Sequence, residues 1–290
     1  MKIPHGGDLL EKEKHSNDSH CIFFAFLGWV LYQNKALGIT TYEIDCSLHP
    51  KLSGFTIVQI SDFHNETFGE NQKKIIEKIE GCNPDMIAVT GDFIDCRHPN
   101  VDIAMEFISK AVDMAPVYYV PGNHERWVTE EYQELCHRMK EMGVHLMMNK
   151  AEEIIFEGER LLCLGIEDPD FYNVVDDVTQ KETVKNRIQN LEYSVDDFTV
   201  LLSHRPELFK IYADENVDVV LTGHAHGGQF RLPFIGGIAA PNQGLFPKYD
   251  AGMFVEHDTH MIVSRGIGNS IIPLRFNNPP EIVVVKLTVK

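Results

Sequence analysis

The chain has 290 residues, of which 43% are hydrophobic and 24% are charged. These proportions are ordinary for a globular protein and argue against a largely disordered chain or a multi-span membrane protein. The 43 acidic residues outnumber the 26 basic ones, and the resulting formal net charge of -17 argues against nucleic acid as the main partner. An anionic substrate remains compatible with this charge, because bound cations can reverse the local field.

The amino-terminal part contains one strongly apolar run, CIFFAFLGWVL, at residues 21–31. This run is shorter than the about 20 apolar residues that a helix needs to cross a bilayer. Lysines on both sides and an aromatic end at Trp29 and Tyr32 are typical of a signal-anchor or an interfacial helix. The alternative is a helix that packs on the rest of the protein.

The apolar run divides the chain into two expected parts. We expect an amino-terminal segment over residues 1–48, in which residues 21–32 are interpreted as a membrane-anchoring helix, and a second domain over 49–290. A linker is predicted around YEIDCSLHPKLSG, at residues 42–54. The protein is then either membrane-associated through this segment or cytoplasmic, and we expect a monomer.

From residue 54 onward the chain alternates strand-like and helical patterns, which is typical of an α/β protein. Strands are predicted at FTIVQIS (55–61), which reads as buried, and at DMIAVTGD (85–92), and PVYYVPGNHE (116–125) is predicted to be a strand that breaks into a loop. Helices are predicted at NQKKIIEKIEGC (71–82), VDIAMEFISKAV (101–112) and TEEYQELCHRMKEMG (129–143).

The second half of the chain has a different pattern. EEIIFEGERLLCLGIED, at 152–168, predicts a hairpin that turns at 157–160, and GMFVEHDTHMIVSRGIG, at 252–268, predicts another that turns near Asp258. Strand–helix units therefore come first, and antiparallel pairs are expected to dominate later. Together these patterns predict two packed sheets with helices outside.

Several apolar runs end abruptly in polar side chains. They are QISDFHNE, AVTGDFID, YVPGNHER, LLSHRPEL and LTGHAHGG. Each cluster alone has a simple alternative explanation as a turn or a satisfied loop histidine. In open α/β sheets, however, ligands collect beyond the carboxyl ends of the strands, so five such clusters in one chain are expected to meet.

The polar side chains at these ends define the chemistry of the expected site. They are Asp62, His64, Asp92, Asn123, His204, His224 and His226. A set of nitrogen and oxygen donors without cysteine suits manganese, iron, zinc or magnesium. Seven donors exceed what one tetrahedral ion needs, and they fit two ions that share one carboxylate.

Two divalent ions about 3.5–4 Å apart can bind the attacking and leaving oxygens of a displacement at phosphorus and can convert bridging water into hydroxide near neutral pH. Two divalent ions, two carboxylates and one hydroxide leave one net positive charge for a phosphate anion. Because Asn123 is neutral, it preserves this surplus.

The order DxH, GDxxD, GNHE, a single histidine and GHxH resembles the calcineurin-like metallophosphoesterase superfamily, from about Phe55 to the end of the chain. The resemblance implies a metallo-dependent phosphatase fold, an αββα four-layer sandwich in which helices flank two mixed β-sheets. It also implies that the dimetal site lies between the sheet edges.

The resemblance further implies the role of each residue. One metal would be bound by Asp62, His64 and His226, and the other by Asn123, His204 and His224, with Asp92 as the bridge. His124 would be the catalytic acid or transition-state donor at the phosphate, and Asp95 would orient its ring.

Two residues differ from those of related enzyme families and so indicate which branch of the superfamily this chain resembles. Cys96 stands after Asp95, where protein serine/threonine phosphatases carry arginine, and His124 stands where soluble UDP-diacylglucosamine hydrolases carry arginine. The segments GHAHGGQFRLPFIGGIAAPNQGLFPKYDAGMF and VSRGIGNSIIPLRFNNPPEI resemble the bacterial branch of membrane-associated, UDP-2,3-diacylglucosamine hydrolase-like phosphoesterases.

We therefore predict a dinuclear phosphoesterase acting on phosphodiester, phosphomonoester or pyrophosphate bonds, with a lipid-linked or nucleotide-sugar-lipid substrate. The expected cofactors are two divalent ions, Mn²⁺, Zn²⁺ or Fe²⁺ in preference to Mg²⁺. The alternatives are a protein serine/threonine phosphatase, a nucleotidase, or a non-enzymatic metal-binding scaffold protein.

Two secondary features have open interpretations. The glycine- and proline-rich loop 227–252 carries large apolar side chains that either form a hydrophobic wall for an acyl chain or membrane beside the metals or pack on the loop's own hairpin. Arg231, Arg265 and Arg275 either bind a phosphate or form ion pairs elsewhere.

Overall fold

The computed structural model describes residues 23–174, 176–269 and 273–290. Residues 23–33 are helical and are named α1. Residues 21 and 22 of the predicted anchoring helix lie outside the described residues. Within the described ranges, no helix combines the length and apolarity required to cross a membrane.

The first sheet has six strands. They are β1 (Gly38–Asp45), β2 (Thr56–Ile60), β3 (Met86–Thr90), β4 (Val117–Val120), β5 (His145–Leu146) and β16 (Glu281–Thr288). Their spatial order is β1-β16-β2-β3-β4-β5. β2, β3, β4 and β5 run parallel, whereas β16 is antiparallel to β2 and parallel to β1.

The second sheet also has six strands. They are β6 (Lys150–Phe156), β7 (Glu159–Gly165), β8 (Phe198–Leu202), β9 (Val219–Thr222), β14 (Gly252–Glu256) and β15 (Thr259–Val263). Their order is β14-β15-β9-β8-β7-β6. The two predicted hairpins are the edge pairs β6–β7 and β14–β15. Both hairpins are antiparallel, as predicted, whereas β15, β9, β8 and β7 pair in parallel, so the second sheet is mixed.

Between these strands the loop 227–252 forms two short antiparallel pairs. The first joins β10 (Arg231–Leu232) to β11 (Gly236–Gly237), and the second joins β12 (Ala239–Ala240) to β13 (Gly244–Leu245).

The helices lie in the connections. They are α2 (Lys73–Glu80), α3 (Val101–Ala111), α4 (Asn123–Trp127), α5 (Thr129–Glu141), α6 (Asp177–Gln189) and α7 (Phe209–Asp214). The three predicted helices correspond to α2, α3 and α5. Local chemistry sets their ends: the Asn100 side chain accepts the backbone N–H of Ile103 and begins α3, and Gly81 follows the last residue of α2.

Three buried apolar clusters produce four layers. Ile57, Val200 and Leu221 belong to the cluster between the two sheets. Val58 faces the cluster that includes α2, α3 and α5, and Val220 faces the cluster that includes α6 and α7. Central strands such as β2 are buried along their whole length because both of their faces are covered. The predicted fold class, two mixed sheets flanked by helices, is confirmed.

The predicted linker at 42–54 is wrong in position, because β1 occupies its first residues. β1 pairs with β16 from Gly38 to Asp45, so hydrogen bonds tie this segment to the first sheet. The division of the chain into two parts stays a proposal, and we propose that the folded domain extends back to Gly38 rather than starting at residue 49.

Candidate metal centre

The predicted donors all follow the carboxyl ends of parallel strands. Asp62 and His64 follow β2, Asp92 follows β3, Asn123 follows β4, His204 follows β8, and His224 and His226 follow β9. Parallel strands direct these ends to one edge of each sheet, and the two sheets pack with these edges adjacent. All seven side chains are buried there. The structure therefore brings together residues that are far apart in the sequence.

One group of donor atoms forms around His226. Its Nε2 lies 3.3 Å from Asp62 Oδ1 and 3.2 Å from His64 Nε2. His64 Nε2 lies 3.7 Å from Asp92 Oδ2. One donor atom from each of these four residues falls within 4.8 Å of the others, which is a separation that a single cation can bridge.

A second group forms around Asp92, His204 and His224, again with donor atoms within 4.8 Å of one another. His204 Nε2 lies 3.3 Å from Asp92 Oδ2, and its Nδ1 lies 2.8 Å from the carbonyl oxygen of Thr90, which fixes the ring. Asp92 belongs to both groups. It is therefore in the position that a bridging ligand requires.

Unpaired polar atoms test whether these residues fit divalent ions. His204 Nε2 and Asn123 Oδ1 are buried and have no hydrogen-bond partner. A buried polar group without a partner costs about 1–3 kcal/mol. A cation between these atoms would remove that cost, and nitrogen and oxygen donors suit first-row divalent ions. The residues therefore fit the metal ions that the sequence predicts.

Burial controls the protonation of the histidines. It lowers the pKa of both His64 and His226 to about 3, so both rings are neutral, as metal binding requires. Burial also acts to lower the pKa of His204, but the adjacent Asp92 carboxylate outweighs it and raises this pKa to about 10. A cation between His204 and Asp92 would replace that proton.

The backbone at the donors is strained. Five of the donor residues have positive φ: Asp62 (50°), His64 (46°), Asp92 (49°), His224 (64°) and His226 (47°). Such φ values are uncommon for residues other than glycine and cost on the order of 1–3 kcal/mol each. Backbone strain of this kind clusters at functional sites, so the backbone marks the same residues independently of their side chains.

Glycines next to the donors let the loops approach closely. A Cβ on Gly91, which has a φ of 84°, would lie 2.5 Å from His204 Nδ1. A Cβ on Gly223 would overlap the Ser61 hydroxyl and the Asp62 carboxylate. The first sheet and the second sheet therefore meet at these glycines without intervening side chains.

Glu125 holds two of the loops together, and sequence reasoning missed it. Its carboxylate accepts backbone N–H groups of Asp92 (2.9 Å), Phe93 (2.6 Å), Ile94 (3.0 Å) and Gly122 (2.7 Å). Burial, with Asp92 nearby, raises the pKa of Glu125 to about 7, although its N–H donors act in the opposite direction. A carboxylate one residue beyond His124 in the GNHE motif was the available sequence signal.

His124 lies beside the two donor groups. Its Nε2 is 3.9 Å from Asp92 Oδ2, and its Nδ1 is 3.4 Å from Asp95 Oδ1. The backbone N–H of Cys96 donates to the same Nδ1 at 3.2 Å. The structure thus brings together His124 and Asp95 at the centre, and their catalytic roles stay predictions.

A cavity of about 310 Å³ opens over the donors. Its lining residues are Asp92, Asn123, His124, Trp127, Asp170, Arg205, His224, His226, Pro241 and Asn242. Arg205, which sequence reasoning missed although it directly follows His204, is buried, and its Nη1 lies 3.2 Å from His224 Nε2. Asp168 accepts from its Nε and Nη2 and fixes the guanidinium.

The three arginines considered from the sequence are elsewhere. Arg231 Nη1 lies 3.0 Å from Asp250, and Arg265 Nη2 lies 2.5 Å from Glu281. Neither arginine lines the cavity. Arg275 is fully buried, with Nη2 3.5 Å from His226 Nδ1, so it supports a donor histidine from behind.

The match to known proteins agrees with this geometry. Residues 55–228 match the model of the calcineurin-like phosphoesterase family. The chain therefore belongs to that family and is a metal-dependent phosphoester hydrolase.

Three of the relatives that it resembles are bacterial proteins. The metallophosphoesterase YkuE of Bacillus subtilis (strain 168) is 31% identical over 264 residues, which are 86% of this chain and 84% of that protein. YkoQ from the same organism is 25% identical, covering 90% and 94%. The phosphodiesterase YaeI of Escherichia coli (strain K12) is 28% identical, covering 70% of each chain.

Proposed function

We propose that the protein is a dinuclear phosphodiesterase. One ion would be held by Asp62, His64 and His226, the other by Asn123, His204 and His224, with Asp92 between them. The observation that carries this proposal is the membership of one buried carboxylate, Asp92, in both groups of donor atoms. Two ions that share one carboxylate are the arrangement used for in-line displacement at phosphorus.

Bound divalent ions would polarise the phosphoryl oxygens and make water acidic enough to attack phosphorus at neutral pH. The chain supplies the remaining groups. The Cys96 N–H occupies His124 Nδ1, so the proton of the neutral ring sits on Nε2, the nitrogen nearer Asp92. With both nitrogens protonated and Nδ1–H directed to Asp95, His124 would transfer the Nε2 proton to the leaving oxygen and become the neutral ring. As the neutral ring, it would donate a hydrogen bond from Nε2 to the charged phosphoryl oxygens.

The donor chemistry favours Mn²⁺, Zn²⁺ or Fe²⁺ over Mg²⁺, because histidine nitrogens outnumber the oxygen donors. The preference for a diester rests on the name of the relative YaeI, a phosphodiesterase. We further propose the UDP-2,3-diacylglucosamine hydrolase-like branch and a lipid-linked substrate, because loop 227–252 places large apolar side chains close to the cavity. Residues 21–32 would associate the protein, as a monomer, with a membrane.

The test is a metal and substrate panel on one purified preparation. The protein is stripped of metal, reloaded separately with Mn²⁺, Zn²⁺, Fe²⁺ or Mg²⁺, and analysed for metal content per chain. It is then assayed on bis-p-nitrophenyl phosphate, p-nitrophenyl phosphate, a phosphopeptide, a nucleoside monophosphate and a UDP-linked lipid. We expect two ions per chain and the highest kcat/KM on a diester or on the pyrophosphate bond of the UDP-linked lipid. Faster hydrolysis of the phosphopeptide or the nucleotide would favour the alternative classes, and no hydrolysis with any metal would favour a scaffold.

A further inference from the structure

Helix α1 is apolar almost throughout, and most of its apolar side chains face outward. The residues of α1 that are buried include Val30 and Gln33. Asn34, just after the helix, is buried too: its Nδ2 donates to the carbonyl oxygens of Val30 (2.7 Å) and Arg275 (3.1 Å), and its Oδ1 accepts the N–H of Arg275. The exposed side chains of α1 are Phe23, Phe24, Phe26, Leu27, Trp29, Leu31 and Tyr32. A surface helix normally has the reverse arrangement, so the outer side of α1 is built to be covered.

Two hairpins of the loop 227–252 also present apolar side chains to solvent. Phe234 and Ile235 are exposed in the β10–β11 connection, and Leu245 and Phe246 are exposed at the end of the β12–β13 pair. Phe234 has a φ of 65° and Phe246 a φ of 55°. A bulky side chain in this conformation is strained, and glycine or asparagine would relieve the strain. Exposed phenylalanines at strained positions indicate a function outside the fold.

The helix and the hairpins adjoin one another. The rings of Phe26 and Trp29 lie 6.0 and 5.6 Å from the ring of Phe276. Phe276 forms a β-bridge with Phe230, where the first hairpin begins. The N–H of Ile238 donates to Phe230, and the N–H of Phe246 donates to Ile238, each at 2.8 Å. We name the exposed apolar residues of α1 together with residues 234–235 and 245–246 the apolar face.

Acidic residues are absent from the segments that build the apolar face. Residues 23–42, 227–249 and 273–280 contain no Asp or Glu, although the chain has 43 such residues and a net charge of -17. Lys35 and Lys248 lie in these segments. An anionic surface would repel most of this protein, but not this side, because screening confines repulsion to a Debye length of about 8 Å.

The apolar face borders the cavity over the metal donors. Pro241 and Asn242, in the turn between β12 and β13, line the cavity, and Asn242 Oδ1 lies 3.1 Å from His224 Nε2. Phe246 follows in the same hairpin. A surface that covers Leu245 and Phe246 would therefore lie next to the opening of the cavity.

We propose that the apolar face docks on the surface of a lipid bilayer and so presents the cavity to phosphoesters anchored in that bilayer. The lipid-anchored substrate and the membrane association of residues 21–32 rest on the proposed function, whereas the contribution of the two hairpins to docking does not. Projecting hairpin ends, rather than a groove, and a mixture of Trp29 and Tyr32 with Phe and Leu side chains fit the interfacial layer of a membrane. The acid-free segments complement the anionic lipids of that layer.

Vesicle binding tests the proposal directly. Trp29 and Trp127 are the two tryptophans of the chain, so a Trp127→Phe variant reports Trp29 alone. The full chain is titrated with vesicles of phosphatidylcholine and phosphatidylglycerol, and both Trp29 emission and co-sedimentation are measured. We expect a blue shift of Trp29 emission and a bound fraction that rises with vesicle concentration. Unchanged emission together with no co-sedimentation would overturn the proposal.

Two double variants distinguish docking through the apolar face from a general effect of removing exposed apolar side chains. Phe234→Ser with Phe246→Ser should lower the vesicle partition coefficient about tenfold or more, because each buried phenyl group contributes to transfer. Val178→Ser with Val195→Ser changes two exposed apolar residues outside the apolar face and should leave partition unchanged. Equal losses in both pairs would contradict the proposal. A self-associated chain that becomes monomeric in the phenylalanine pair, without any vesicle binding, would instead assign the face to a second copy.

Hydrolysis of soluble bis-p-nitrophenyl phosphate keeps the two proposals distinguishable. Both variant pairs should hydrolyse this substrate at the rate of the unmodified chain, since none of the four residues lines the cavity. Vesicle binding without any hydrolysis would reject the proposed function and retain docking. Hydrolysis without vesicle binding would reject docking and retain the proposed function.

Discussion

The two ends of the β-sandwich carry similar residue types but differ in what those residues do. At the metal end, the carboxyl ends of β8 and β9 present His204, His224 and His226. At the amino ends of the same strands, a second cavity is lined by aspartates and histidines that include His49, Asp197, Asp218, Asp258 and His260. In the described ranges, however, the groups of donor atoms within cation-binding distance all lie at the metal end.

The difference lies in how the polar atoms are paired. Asp218 Oδ2 accepts both the backbone N–H and the hydroxyl of Thr199, each at 2.8 Å. Asp197 pairs with Arg160, and His49 Nδ1 lies 3.5 Å from Glu159. At the metal end, Asn123 Oδ1 has no hydrogen-bond partner, and His204 Nε2 has only the Asp92 carboxylate at 3.3 Å. Residue composition therefore does not define a site, whereas donors with unmet bonding capacity beside donors on a strained backbone, such as Asp92 and His226, do.

The largest effect is expected from Asp92→Asn at the metal end. The substitution keeps the shape of the side chain but removes the charge that both ions would share. We expect loss of both ions and a fall in kcat/KM of at least about 100-fold, since loss of groups that merely support ligands already costs 10- to 100-fold. Elemental analysis and diester hydrolysis on the same folded preparation measure this. Two retained ions and an unchanged rate would disprove the bridging role.

His124→Ala should affect catalysis without removing the metal. We expect full metal content and a fall in kcat of about 10²- to 10⁴-fold on a diester with an alkoxide leaving group, because general acid catalysis contributes on that scale. The effect should be smaller with p-nitrophenolate, which leaves without a proton. Equal losses on both esters would show that His124 acts on the phosphoryl group rather than on the leaving oxygen.

Glu125→Gln should destabilise the metal end, because the Glu125 carboxylate holds backbone N–H groups of two loops there. The amide nitrogen would replace one carboxylate oxygen and would therefore face two of the four backbone N–H groups with donors. We expect a loss of about 2–4 kcal/mol in the free energy of unfolding, since hydrogen bonds to a charged group contribute roughly 1.5–3 kcal/mol. Urea denaturation measures it. Glu130→Gln, an exposed change in α5, is the control and should have no effect.

The smallest effect is expected from Asp218→Asn at the opposite end. Its hydrogen bonds to Thr199 are structural, so we expect a loss of about 1 kcal/mol in stability and no change in metal content or hydrolysis. The same denaturation and elemental analyses apply. A loss of metal in this variant would mean that the two ends are coupled, and the comparison between them would fail.

The sequence predicts the parts of the site that depend on strand ends. Apolar runs before Asp62, Asp92, Asn123, His204 and His224 locate these residues, because a buried strand can be identified from its own residues. The positive φ values of the donors and the clamp formed by Glu125 depend on contacts between distant loops. The GNHE motif contains Glu125, but no local pattern reveals which N–H groups it binds or which donors have positive φ.

Contacts between distant parts of the chain also explain the errors in the predicted fold. The hairpins of the second half were recognised because they are local, whereas the parallel pairs β7–β8 and β8–β9 require crossover connections and were not predicted. β1 was assigned to a linker because its partner, β16, lies at the other end of the described chain. Arg205 was missed because its hydrogen-bond partner, Asp168, lies on a different strand connection, 37 residues earlier in the sequence.

The position of β16 between β1 and β2 has a consequence for biosynthesis. β2 carries Asp62 and His64 at its end, and one of its two edges stays unpaired until β16 has been synthesised. On the ribosome, the nascent chain must therefore keep an open, apolar strand edge for most of its translation, and such edges recruit other chains. The protein is expected to depend on chaperones before release, and truncation before Glu281 is expected to yield aggregates rather than a partly active enzyme.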